Sequence, residues 1–192
     1  MKIPDKARYY YVAYRSLEFI IEENITCFPV SPYEIIKRHK WALTTYSTLA
    51  KEMCCDIDDI SSAFMTDEAY TIFNGKNYTI AYNDTKGTDR IWFTLMHEIG
   101  HIYLKHFIDF EKTILRCKKL SKCEYKILEN EANAFARNVL APAPIIEQLP
   151  EKSKENICSF FHMSNDAAKT RLDLLHSCLL YTSDAADDSL RV

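Results

Sequence analysis

Several things are scarce in this chain, and each scarcity narrows the reading. No run of about 18 apolar residues occurs, which excludes a membrane-spanning helix. No apolar segment follows the charges of Met1 to Arg8, so a secretory signal peptide is not expected. No Cys-x-x-Cys pair is present, and the seven cysteines are odd in number and irregularly spaced. That pattern argues against a disulfide framework or a cysteine-built zinc site, and for reduced thiols in a cytoplasm. Neither sign of charge dominates: the net charge of -3 gives no reason to expect nucleic acid as a direct partner. Glycine is reduced to Gly75, Gly87 and Gly100, so each marks a geometric need.

What remains is enough for one sizeable core. At 192 residues the default is a single domain. Residues 5–24 carry apolar side chains at helical spacing (Tyr10, Tyr14, Leu17, Ile20, Ile21), predicting an amphipathic helix. Ser31-Pro32 reads as an N-cap and first-turn pair for a short helix to about Lys40. An extended stretch at 41–46, a helix at 47–54 and a helical turn at 56–63 follow. Ala69–Phe73 and Tyr78–Tyr82 are β-rich runs around Asn74-Gly75-Lys76-Asn77, predicting an antiparallel hairpin. A helix at 124–140 is stopped by Ala141-Pro142-Ala143-Pro144. Two last helices, 152–161 and 165–176, have a helix-turn-helix outline. Lys169 and Arg171 are too few for a DNA-reading face, so the pair reads as packing. Lys112, Arg116, Lys118, Lys119 and Lys122 form a basic patch that reads as solvated surface.

The chemistry lies in Phe93–Leu104, a helix-length apolar run that contains His97-Glu98-Ile99-Gly100-His101. On a helix, His97 and His101 are one turn apart on one face and can fill two corners of a zinc site. Glu98 need not bind the metal. It can take a proton from the water that the metal activates, the general-base role. Two His and a Glu in so apolar a helix are costly to bury without partners, and a metal supplies one. Gly100 would let another backbone pack closely on this helix, which is expected to run from Thr88 or Asp89 to about His106.

A third protein ligand is needed. His106, five residues past His101, would point about 140° away if the helix continued, toward the surface. Glu131 is the better candidate. It sits in the apolar stripe of Ile127/Leu128, Phe135 and Val139, and a carboxylate there needs a compensating charge. Glu129, about 200° away, should face solvent. The alternative for Glu131 is a buried ion pair with Arg or Lys; beside the His pair, the ligand role is the expectation.

Together, Thr94–His101, Glu131-Ala132-Asn133-Ala134-Phe135-Ala136 and Leu140-Ala141-Pro142 resemble the ImmA/IrrE family of zinc metallopeptidases. Ile80-Ala81-Tyr82-Asn83, Phe161-His162-Met163-Ser164 and Arg171-Leu172 are similar to further family signatures, so the likeness spans roughly residues 30–175. The resemblance implies an α+β fold with a gluzincin-like zincin core, mainly helical with a small antiparallel sheet. It implies Zn²⁺ held by His97, His101 and Glu131, with Glu98 as general base. It also implies a cytoplasmic endopeptidase that cleaves a helix-turn-helix repressor or similar regulator, as anti-repressors of mobile elements do. A reading from another class is a non-proteolytic, metal-binding module that sequesters a transcription factor.

The tail changes character. Cys178–Asp187 resembles a translated transposon-end sequencing adapter. The expected domain is therefore 1–177, with 178–192 foreign to it.

Overall fold

A computed structural model describes residues 2–110 and 120–175. Lys112, Arg116, Lys118 and Lys119 of the basic patch and the adapter-like tail lie outside the described residues, while Lys122 is exposed. The chain divides after Leu140 into two compact units.

The first unit contains α1 (Tyr9–Glu22), α2 (Pro32–Arg38), β1 (Ala42–Thr45), α3 (Tyr46–Met53), α4 (Ile57–Phe64), β2 (Ala69–Phe73), β3 (Tyr78–Tyr82), α5 (Thr88–Tyr103), α6 (His106–Asp109) and α7 (Lys122–Leu140). Local chemistry sets the element ends as expected. The Ser31 hydroxyl accepts from Glu34 N ahead of Pro32. In the hairpin turn, Asn74 Oδ1 accepts from the backbone of Lys76 and Asn77, and Gly75 takes φ +91°.

The sheet is small, as expected, but mixed rather than antiparallel. Its order is β1-β3-β2. β2 pairs antiparallel with β3, Ala69 opposite Tyr82 and Phe73 opposite Tyr78. β1 lies parallel to β3, Ala42 opposite Thr79. A parallel neighbour needs a crossover, and α3, α4 and β2 provide the chain for it. β2 is left at an edge.

Helix α7 packs against both α5 and α1. Gly100 on α5 permits the first contact: a Cβ there would stand 3.0 Å from the Phe135 ring and 3.3 Å from the Ala132 carbonyl. Phe19 from α1 meets Phe135 edge-on at 5.1 Å and Tyr103 at 4.9 Å.

The face that α1 buries is not the expected one. Val12, Ser16 and Phe19 face inward, while Tyr10 and Ile21 are 96% and 77% exposed. The helix is apolar around most of its circumference, so spacing alone offers two stripes. Ser16 can be buried because its hydroxyl donates to the Val12 carbonyl at 2.8 Å.

Helix α5 ends earlier than its periodicity suggests. Leu104 caps it, Lys105 adopts a left-handed conformation (φ +60°), and α6 begins at His106.

In the second unit, α8 (Ala143–Glu147) follows Pro142, and α9 (Lys154–Phe161) is capped by Ser153. Residues 165–175 are helical. The Ser164 hydroxyl accepts from Ala167 N at its start, and the buried Arg171 donates to the Ala141 carbonyl at 2.8 Å. No described helix is long and apolar enough to cross a membrane.

Candidate metal centre

The His pair flanks the close approach of α5 and α7 at Gly100. His97 and His101 share one face of α5, with their Nε2 atoms 3.0 Å apart. Both are buried, at 9% and 2% exposure. Each imidazole is oriented through its other nitrogen. His97 Nδ1 lies 2.9 Å from Asn133 Oδ1, and His101 Nδ1 lies 2.8 Å from His106 Nδ1. An amide oxygen only accepts, so His97 carries a hydrogen on Nδ1, and its Nε2 faces inward.

The carboxylate that joins the pair is Glu129. Its Oε1 is 3.3 Å from His101 Nε2 and its Oε2 is 3.5 Å from His97 Nε2. Glu98 follows His97 on α5 and is buried beside them. The Thr71 hydroxyl, on β2, donates to Glu98 Oε2 at 2.6 Å and fixes the carboxylate's orientation. A cleft of about 170 Å³ opens over these groups, walled by Glu68, Arg90, Phe93 and Thr94. A larger hollow of about 770 Å³, between Asp5–Tyr11 and the start of α7, has no histidine in its wall.

The expected third ligand, Glu131, stands elsewhere. It is fully buried, as its phase predicts, but on the other flank of α7. Its Oε1 accepts from Arg8 N at 2.8 Å and Arg8 Nε at 2.9 Å; its Oε2 accepts from Arg8 Nη2 at 2.8 Å and His106 Nε2 at 3.2 Å. The ion-pair alternative is therefore the one realised. The phase argument assumed a helix with one buried side, but α7 is covered on two. The 200° that was to send Glu129 into solvent sends it to α5 instead.

His106 also departs from expectation: it is fully buried, not at the surface. The left-handed turn at Lys105 cancels the 140° extrapolation and folds His106 back over His101. Tyr103, near the end of α5, gives its hydroxyl to Glu22 at 2.7 Å.

A usable signal for Glu129 and Asn133 was present. They are one turn apart on α7, on the same side as Ala132 and Ala136, and such small side chains suit a partner helix that offers Gly100. Nothing in the local pattern pointed to Arg8 or Thr71, which arrive from distant parts of the chain.

Burial pushes His101 down to about 3, against the pull of Glu129. Burial also lowers His106, against Glu131. His97 loses to burial but gains more from Glu129 and Glu98, and is raised. Burial disfavours the Glu129 carboxylate, yet the imidazoles of His101 and His97 beside it hold it far below the usual range. Glu131 is likewise opposed by burial, and the Arg8 and His106 bonds bring it to about 2.

The nitrogen and oxygen donors of His97, His101 and Glu129 all lie within 4.8 Å of one another. Two imidazoles and one carboxylate on adjacent helices, with a second carboxylate alongside, make a group that could hold a metal ion. The family model of Peptidase_M78, described as the IrrE N-terminal-like domain, matches residues 55–173, more than half of the chain. The chain belongs to this peptidase family, and the match contains α5, α7 and every donor of the centre. No curated protein matches the chain.

Proposed function

We propose that the protein is a zinc endopeptidase in which His97, His101 and Glu129 hold the metal and Glu98 is the general base. The observation that carries this reading is the convergence of two Nε2 atoms and the Glu129 carboxylate beside a separately anchored Glu98. The donor set suits Zn²⁺, which accepts imidazole and carboxylate ligands and keeps a position open in catalytic sites. When bound, the metal supplies a more acidic water and a polarised scissile carbonyl.

The chain's own residues do the rest. Asn133 and His106 keep the imidazoles turned so that both Nε2 atoms face Glu129. Thr71 holds Glu98 at one oxygen, so the carboxylate can take a proton from the attacking water and deliver it to the departing amine. β2 carries Thr71 and is one of the sheet's two edges, so its outward backbone groups offer a strand-pairing template to an extended peptide. The substrate is a helix-turn-helix repressor or similar regulator, in keeping with the family resemblance.

The test is co-expression with a candidate helix-turn-helix repressor, sought in the neighbouring reading frames, comparing the wild-type chain with Glu98→Gln. Cleavage by the wild type and none by Glu98→Gln, with metal content equal, is the expected result. A repressor that stays intact and bound with both proteins would support the sequestering reading and sink the peptidase for that substrate.

A further inference from the structure

We infer that Arg8, Glu131 and His106 form a positioning relay that fixes which nitrogen of His101 carries hydrogen, and so makes the metal centre depend on the start of α1. This rests on the reading of His97, His101 and Glu129 as ligands.

The hydrogens can be followed inward from the surface. Arg8 places three N–H donors on the Glu131 carboxylate, two on Oε1 and one on Oε2. A carboxylate so held only accepts. His106 Nε2, 3.2 Å from Glu131 Oε2, is therefore the nitrogen that carries the hydrogen. With one hydrogen per ring, His106 Nδ1 is a lone pair. The contact of 2.8 Å between His106 Nδ1 and His101 Nδ1 then needs its hydrogen on His101. His101 Nε2 is left bare, and it faces His97 and Glu129. Every link is buried except Arg8, whose side chain is 31% exposed and lies over the Tyr11 ring at 4.6 Å.

Two features make this a device rather than ordinary burial of an ion pair. The relay ends on a ligand nitrogen, where an outer carboxylate both selects the tautomer and increases the donor strength of the imidazole. Its outermost member lies outside the matched residues 55–173. Arg8 precedes α1 directly and gives Glu131 its backbone N–H as well as its guanidinium, so any displacement of the α1 start reaches His101 through three hydrogen-bonded steps.

The experiment uses the full chain and two readouts besides activity. Zn²⁺ affinity is measured by chelator competition, and the Co²⁺-loaded protein is compared by visible absorption. Glu131→Leu is expected to weaken Zn²⁺ binding about 10–100-fold and to alter the Co²⁺ spectrum. Glu131→Gln, which keeps an acceptor for His106, is expected to recover most of the loss. Arg8→Ala is expected to fall between them. Wild-type affinity and spectrum in Glu131→Leu overturn the relay; if that variant does not fold, the same result in Arg8→Ala does so. Equal losses in the Leu and Gln variants would mark a need for the carboxylate's charge opposite Arg8 rather than for an acceptor at His106, and overturn it too. ¹⁵N shifts of the metal-free wild type supply an independent check: hydrogen on Nε2 of His101 overturns the relay. Hydrogen on Nδ1 in a chain that binds no Zn²⁺ leaves the relay standing and removes the metal-centre reading instead.

Discussion

On one flank of α7, Glu129 meets two buried imidazoles; on the other, two residues on, Glu131 meets a guanidinium and an imidazole. The two carboxylates have the same chemistry and nearly the same place in the chain. The difference is what balances them. Arg8 is a permanent cation that grips both oxygens of Glu131, so that carboxylate is satisfied by the protein alone. The ion contacts of Glu129 among the described residues are with His97 and His101, and burial pushes His101 toward its neutral form. The flank of Glu131 is a structural anchor. The flank of Glu129 holds more negative charge than fixed positive charge, which is the condition that favours a divalent cation.

That contrast is broken most directly by exchanging the fates of the two residues. Glu129→Gln is expected to lower Zn²⁺ affinity by more than about 100-fold, beyond the ~10–100-fold range of outer-sphere losses, because a ligand itself is lost. In the metal-free chain the order reverses. Glu131→Ala leaves Arg8 without its partner in a site closed to water on the Glu131 side, and should cost about 3 kcal/mol or more. Glu129→Ala, removing a carboxylate without a fixed counter-charge, should cost no more than about 1 kcal/mol. Chelator competition and urea unfolding check the two halves. A metal loss in Glu131→Ala equal to that in Glu129→Ala would erase the distinction between anchor and ligand.

Acid should separate the flanks next. Glu131 is held down to about 2 from an ordinary 4.5. A depressed carboxylate stabilises the fold fully above its unfolded value and loses that contribution as pH falls through the folded one. The effect is on the order of 3 kcal/mol between pH 4.5 and 2. His101, lowered from 6.5 to about 3, acts with the same sign but begins to cost stability already below pH 6.5, because the unfolded chain binds its proton first. Urea midpoints of the metal-free protein from pH 7 to 2.5 should therefore fall from about pH 6.5 and more steeply below 4.5, where both groups contribute. The added steepness should be absent in Glu131→Gln. A wild-type curve that is flat below pH 4.5 would contradict the anchor.

The close approach that sets the flanks apart is built on Gly100. Gly100→Ala places a Cβ 3.0 Å from the Phe135 ring and 3.3 Å from the Ala132 carbonyl. The ring can shift; the backbone cannot do so cheaply. Overpacking of about 1–3 kcal/mol outweighs the ~1 kcal/mol that alanine gains over glycine in a helix. The expected net is a loss of about 1–2 kcal/mol, seen as a lower Tm, with Zn²⁺ affinity falling as Glu129 moves away from the pair.

Much of this was legible in the chain, and the parts that were not share a cause. Asn74-Gly75 announced the hairpin, Ser31-Pro32 announced α2, and the apolar run around His97 announced α5, because each signal is local. Gly100 was readable as a close contact for the same reason. Glu129, His106 and the inward face of α1 were misread because each needed an assumption about something distant. Glu129 required knowing that α7 has neighbours on two sides. His106 required the left-handed turn at Lys105, where the expected helix continuation fails. Periodicity marked Glu131 as buried but could not say which charge would meet it, and Arg8 lies 123 residues away in sequence.

The two faces of α1 give the smallest effect and still bear on the comparison, since α1 carries the relay's outer end. Ile21 is 77% exposed and Tyr10 is 96% exposed, although both looked like core positions. Surface substitutions away from special features stay within about ±0.5 kcal/mol. Ile21→Ser should therefore leave both the urea midpoint and Zn²⁺ affinity near their wild-type values. Phe19, two residues earlier, is fully buried against Tyr103 and Phe135 and supplies the contrast on the same helix. If Ile21→Ser costs as much as a core truncation, α1 is turned the other way. Arg8 could not then reach Glu131 from its place at the helix start, and the anchor flank would lose its cation.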